Sequence, residues 1–267
     1  MFRPLPVSRR AVPSTVVALL IAAGVAACAP AAAAPSPSPS PSAPPPTPAP
    51  TKTIPPTPTP TPTPTFNRVA RSIDDPASIW VVADKLRPLN PVDYVPSDLV
   101  SVPVAHTWDP ELRQEASDAV VAMFQAAQAE AGLSLASNSA YRGYDTQVRI
   151  YQNDLDASGQ EVADGLTARP GYSEHQTGLA MDIGAESGSC SLDPCFADTA
   201  EGQWLAANAW RFGYLLRYPA DKVPITGFTF EPWHYRYIGA ELSTEMHGTG
   251  VTTLEEFFAL PAAPAYP

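Results

Sequence analysis

Apolar positions recur with helical spacing from residue 109 onward. Leu112, Ala116, Ala119, Val120, Met123, Phe124 and Ala127 share one face of a 3.6-residue period, which predicts a core-packing helix. Asp109 as N-cap and Pro110 at the first helical position would open it, and Gly132 would close it. Residues 133–137 then read as a short strand, followed by a turn at residues 139–144 and a helix that Asp145 would cap, carrying Gln147, Val148 and Tyr151. A second amphipathic helix is predicted from Asp198, with Glu201 as its capping-box partner, through Trp204, Leu205 and Phe212 to Gly213. Residues 179–183, 214–218 and 228–238 read as strands. Strands outside a regular βαβ alternation, with helices inserted among them, imply an α+β domain with a small, mostly antiparallel sheet.

The first 65 residues follow different rules. Arg3, Arg9 and Arg10 precede an apolar stretch at residues 11–27, interrupted by Pro13, Ser14 and Thr15. That pattern is too short and broken for a durable membrane span and reads as an export signal. It ends Val25-Ala26-Ala27-Cys28, small residues before a cysteine, so residues 1–27 resemble a bacterial lipoprotein signal with Cys28 lipidated. An ordinary cleavage site is the alternative. Either reading places the mature chain outside the cytoplasm, as a lipoprotein on the outer face of the membrane or secreted to the cell wall. Residues 28–65 are almost wholly Pro, Ala, Ser and Thr. Such a segment buries no core and forms a polyproline II spacer rising about 3.1 Å per residue, on the order of 100 Å in all.

Residues 66–267 remain, enough for one domain with its own core. The net charge of −11 argues against nucleic-acid binding, because phosphate recognition needs clustered basic surface. A monomer is expected. With Cys28 assigned to lipid, Cys190 and Cys195 flank Ser-Leu-Asp-Pro and read as a small disulfide loop of an exported protein.

Candidate chemistry concentrates in two segments, Ser173 to Asp182 and Glu231-Pro232-Trp233-His234. Together they hold two of the four histidines, an aspartate and a spare glutamate. Two imidazoles and one carboxylate are the ligand set of a catalytic zinc site, which keeps a fourth tetrahedral position open, whereas structural sites are usually closed by four ligands. In a regular strand Glu231 and His234 would face opposite ways, so Pro232 is expected to mark a bulge or edge. His175 must be folded back across Thr177-Gly178. His106 and His247 read as surface residues, and Trp204, Trp210, Trp233 and Tyr235 as core.

These motifs resemble the VanY-type D-alanyl-D-alanine carboxypeptidases, zinc peptidases of the bacterial cell wall, and also the related L,D-carboxypeptidases. Ser139 to Tyr144 with Gln147 looks like that family's substrate-binding turn. Leu86-Arg87-Pro88-Leu89 and Asp93-Tyr94-Val95-Pro96 look like its N-terminal segment, so the resemblance spans residues 79–239. It implies a Hedgehog/DD-peptidase-like fold, Zn2+ held by His175, Asp182 and His234, and Glu231 as general base. It also implies peptidoglycan stem peptides as substrate, with Arg142 reading the terminal carboxylate and Gln147 and Ser173 as further polar contacts. Hydrolysis of the terminal D-Ala-D-Ala bond is the leading expectation. An L,D-carboxypeptidase acting on tetrapeptide stems, an endopeptidase with an open cleft, and a non-catalytic wall-binding module are the alternatives.

Overall fold

The computed structural model describes residues 66–267, so the export signal, Cys28 and the proline-rich spacer lie outside the described residues. The chain runs β1 (Leu99–Ser101), β2 (Glu111–Arg113), α1 (Gln114–Ala131), β3 (Leu135–Ser139), α2 (Tyr144–Ser158), α3 (Gln160–Leu166) and β4 (Ala180–Ala185). It continues through α4 (Ala200–Asn208), β5 (Tyr214–Leu216), α5 (Val223–Thr226), β6 (His234–Tyr237), α6 (Ala240–Thr249) and α7 (Leu254–Phe257). The fold is α+β. One antiparallel sheet has the order β3-β4-β6-β5, and β1 pairs with β2 in a separate ribbon. No described helix is long and apolar enough to cross a membrane.

The helix predicted from Asp109 begins later, at Gln114, with Arg113 as its N-cap residue. Residues Glu111–Arg113 pair with Leu99–Ser101 instead, and this tertiary pairing overrides the Asp109-Pro110 start signal. The apolar stripe is otherwise realised: Ala116, Val120, Met123, Phe124 and Ala127 are buried in one core with Met181, Ile183 and Tyr235. Gly132, at φ +68, closes the helix as expected.

Other boundaries shift in the same way. The first predicted strand lies two residues later, at β3. Gly143 rather than Asp145 caps α2, leaving Asp145 in the first turn, where its charge suits the helix dipole. Thr199 rather than Asp198 caps α4: its Oγ1 accepts from the Gly202 amide at 3.0 Å, the bond a hydroxyl N-cap is built to make. The strand predicted over 228–238 is formed only at β6, and β5 stops at Leu216. Cys190 and Cys195 are disulfide-bonded.

Sheet register positions the site. Asp182 on β4 lies directly opposite His234 on β6, and Ala180 opposite Arg236. Because side chains alternate, Ala180, Asp182, His234 and Arg236 share one face while Met181, Ile183, Tyr235 and Tyr237 share the other. An irregularity between Ser137 and Ser139 brings Ser139 opposite Asp182 on the other side. Three neighbouring strands therefore converge on one aspartate.

Candidate metal and catalytic site

His175 stands on a 3-10 turn, Glu174–Thr177, that ends at Gly178 with φ +66. The positive φ favours glycine there, and a Cβ at Gly178 would meet Leu99 Cδ2 at 2.8 Å, so a larger residue would also have to push that side chain aside. That turn folds His175 back towards Asp182, as expected. Glu231 and His234 meet differently from the sequence expectation. Glu231 precedes the strand, and the His234 amide donates to the Glu231 carbonyl at 3.1 Å, so a turn at Pro232-Trp233 sets the two side chains on one side.

His175, Asp182 and His234 are buried, and one potential ligand atom from each lies within 4.8 Å of the others. His175 Nε2 is 3.3 Å from Asp182 Oδ2, and His234 Nδ1 is 3.4 Å from Asp182 Oδ1 and 3.4 Å from Glu231 Oε2. Asp182 Oδ1 is buried and accepts no hydrogen bond, an orphaned acceptor facing the imidazole pair.

The outer nitrogens decide which inner ones are free. His175 Nδ1 is 2.6 Å from the Ala140 carbonyl, which can only accept, so Nδ1 carries the proton and Nε2 presents its lone pair. His234 is the reverse: Nε2 is 3.3 Å from Glu174 Oε2, so Nε2 donates and Nδ1 points inward. A metal-ligating histidine characteristically hands its other nitrogen to a carbonyl or carboxylate, and both do so here. The donor set thus fits a divalent cation.

The electrostatics agree. Burial alone would lower the His234 pKa, but the facing carboxylates of Asp182, Glu174 and Glu231 hold it well above the usual imidazole value. Burial raises the Asp182 carboxyl, and the imidazoles of His175 and His234 together outweigh it and hold Asp182 well below its usual range. A proton on His234 is thus stabilised where a cation would otherwise sit, whereas burial and the Arg142 charge lower the His175 pKa.

Glu174, which the sequence reading passed over, organises this centre. It is fully buried and receives Arg217 Nε at 2.8 Å and Arg236 Nη1 at 2.9 Å on Oε1, while Oε2 faces His234. Arg217 also forks onto Glu255 at 2.7 and 3.0 Å. Burial would raise the Glu174 carboxyl, and the two guanidiniums hold it far below the ordinary range instead. The visible signal was a pair of arginines inside apolar runs, Leu215-Leu216-Arg217-Tyr218 and His234-Tyr235-Arg236-Tyr237. Such cations need a buried carboxylate.

A cleft of about 180 Å³ opens onto these groups, lined among others by Arg142, Ser173, Tyr218, Glu231 and Trp233. Arg142 Nη1 donates to Ser139 Oγ at 2.8 Å and to Asp182 Oδ2 at 3.4 Å, and Nε donates to Gln147 Oε1 at 3.2 Å. Gln147 is fully buried outside the cleft lining and donates to the Ala168 carbonyl at 2.8 Å, so it steadies Arg142 rather than facing the cleft. His106 and His247 lie away from the centre: His106 pairs with Asp109 at 2.9 Å and His247 stacks on Trp210 at 3.9 Å. Tyr235 is core, as expected, whereas Trp204, Trp210 and Trp233 are only partly buried and Trp233 borders the cleft.

A family model described as VanY, D-alanyl-D-alanine carboxypeptidase, matches residues 109–240. YodJ of Bacillus subtilis strain 168 is 41% identical over 192 residues, covering 70% of this chain and 69% of YodJ. The chain belongs to the VanY family of D-alanyl-D-alanine carboxypeptidases. An Enterococcus faecium D-alanyl-D-alanine carboxypeptidase is 43% identical over 109 residues, which span 31% of that protein. Among solved structures, the LD-carboxypeptidase LdcB is 41% identical with a TM-score of 0.64, over 69% of this chain and 87% of LdcB. VanYB in complex with D-alanine-D-alanine is 30% identical with a TM-score of 0.57, over 68% of this chain and 97% of VanYB. A mutant of the D,D-pentapeptidase VanY from a VanB-type resistance cassette, solved with Zn(II), is 32% identical with a TM-score of 0.56, over 67% of this chain and 98% of that one. The VanY-family centre of the present chain is therefore a carboxypeptidase site with a fitting metal-ligand set.

Glu174→Gln keeps the shape and removes the charge that holds His234. We expect roughly a 10- to 100-fold weaker metal affinity by competition titration with a chelating dye, the range typical of lost outer-shell partners. A stability loss of about 3–5 kcal/mol in denaturant melts should accompany it, because two buried guanidiniums lose their counter-charge. Unchanged metal affinity would contradict the assigned role.

Proposed function

We propose that this chain is a zinc-dependent carboxypeptidase that removes the terminal D-alanine from peptidoglycan stem peptides, hydrolysing the D-Ala-D-Ala bond of pentapeptide stems. The observation that carries this reading is the convergence of His175, Asp182, His234 and Glu231 in one cleft beside Arg142, in a VanY-family domain. Zinc held by His175 Nε2, His234 Nδ1 and Asp182 would supply Lewis acidity for the scissile carbonyl and the attacking water. Glu231 moves the proton. Burial pushes its carboxyl above the ordinary range, with the Asp182 charge adding to that, which suits a group that must accept a proton and give it up again. It takes the proton from water and returns it to the leaving amine.

Arg142 fixes the chain end. With Nε and Nη1 held by Gln147, Ser139 and Asp182, its Nη2 has no partner among the described residues and is directed by the fixed fork. A guanidinium so anchored recognises a terminal carboxylate, with Ser173 on the same cleft wall as a further polar contact. A second reading, an L,D-carboxypeptidase acting on tetrapeptide stems, is favoured by the 41% identity to LdcB against 30% to VanYB. Export and a lipid anchor at Cys28 belong to the same proposal, because the substrate lies outside the cell; the mass of the mature N-terminus tests it, and an unmodified Cys28 would contradict it.

Purified protein with zinc should release D-alanine from synthetic pentapeptide stems and stop on chelation, as read by mass spectrometry. Release from tetrapeptide stems alone would establish the second reading. Glu231→Gln should retain metal while losing roughly 10²- to 10⁴-fold in turnover; near-normal turnover would move the base elsewhere.

Arg142→Lys keeps the charge but loses the fork. It should weaken transition-state binding of free-acid stems by about 1.5–3 kcal/mol, and C-terminally amidated stems should be poor substrates of the unmutated protein. Equal cleavage of amidated and free-acid stems would favour an endopeptidase.

A further inference from the structure

The Cys190–Cys195 loop borders the catalytic cleft through one residue, Leu192. Leu192 has φ +50 and Cys190 φ +53, two of the three non-glycine residues with positive φ among the described residues. In that region a leucine is strained where a glycine would not be. Yet its side chain is not used for the core: Leu192 is 49% exposed. The apolar side chains of Ile150, Leu166 and Trp233 line the same cleft, and Leu166 is 50% exposed.

The loop is held from both sides. Phe196, one residue past the disulfide, is fully buried in the core, and Cys190 packs against that core. Inside the ring, the Cys195 amide donates to Asp193 Oδ1 at 2.8 Å. The covalent ring and these anchors leave Leu192 little freedom to leave the cleft wall. A strained, half-exposed leucine fixed at the edge of a polar reaction centre stabilises nothing in the folded chain alone.

We propose that Leu192 is a specificity-determining residue, an apolar wall that packs on an aliphatic side chain of the peptide substrate and is held in place by the disulfide. The assignment rests on the peptide-hydrolysing reading above. With Ile150 and Leu166 it lines the cleft beside the polar centre, so a peptide seated by Arg142 would bury aliphatic surface there. Leu192 touches no metal ligand role and moves no proton. Its loss should appear in binding and not in the chemical step.

Leu192→Gly separates this from a structural role, since it relieves the positive-φ strain while deleting the wall. KM for stem peptides should rise about five- to tenfold, kcat should stay within about twofold, and the melting temperature should not fall. Opening the disulfide with Cys190→Ser/Cys195→Ser should raise KM comparably in the unmutated background and add nothing in the Leu192→Gly background. The same comparison by calorimetric Kd in Glu231→Gln protein reads binding without turnover. If the unmutated protein does not turn over, the carboxypeptidase reading fails while Kd still tests Leu192. Unchanged KM and Kd in Leu192→Gly, a lower melting temperature, or equal effects of disulfide removal in both backgrounds would each overturn the proposal.

Discussion

Glu174 takes three cationic or proton-donating partners from a single sheet face, and the centre depends on that arrangement. Arg236 and His234 share the face because they are two apart on β6, and Arg217 joins them because its amide donates to the His234 carbonyl at 3.2 Å just past β5. A carboxylate buried this deeply would be expelled or protonated without counter-charges. With two guanidiniums on Oε1 it stays ionised, and Oε2 is left to take the His234 Nε2 proton. Replacing such a network by apolar side chains need not lower stability. Its value here lies in orientation: it fixes which nitrogen of His234 faces Asp182.

The same network binds distant parts of the chain to the site. Arg217 forks onto Glu255 of α7, and Arg236 Nη2 donates to the Ile79 and Val81 carbonyls at 3.2 and 2.8 Å. The segment before the family-matched region and the helix after it are thereby fastened beneath the metal ligands. On the N-terminal side, Gln176 donates to the Val92 and Tyr94 carbonyls at 2.7 and 3.2 Å, so the turn carrying His175 is tied to the residues 86–96 segment that resembles the family. Core packing on the opposite sheet face, through Met181, Ile183 and Tyr235 against α1, keeps the strands in register.

His175, Asp182, Glu231 and His234 were legible as a cluster because their close spacings are unusual for residues with no shared structural purpose. The α1 stripe was legible because burial imposes a period. Its start was not, since Leu112 fits the helical phase while actually serving β2, and only the pairing with Val100 reveals that. Glu174, Arg217, Arg236 and Glu255 escaped because buried charge pairs 38 to 62 residues apart carry no periodic signature, and charged residues ordinarily read as surface. Gln147 was expected as a polar substrate contact, and the fold instead buries it away from the cleft with its amide engaged by Arg142 and Ala168. Leu192 lies within a loop whose disulfide was legible, whereas its approach to the cleft required the fold.

Ala140 and Glu174 impose opposite tautomers on the two histidines, so that His175 offers Nε2 and His234 offers Nδ1. Long-range proton–nitrogen correlation spectra of uniformly labelled, zinc-loaded protein read both nitrogens of each ring directly. We expect a proton on His175 Nδ1 with metal on Nε2, and a proton on His234 Nε2 with metal on Nδ1. Metal on the same nitrogen of both rings, or a protonated His234 Nδ1 in the zinc-loaded state, would contradict it.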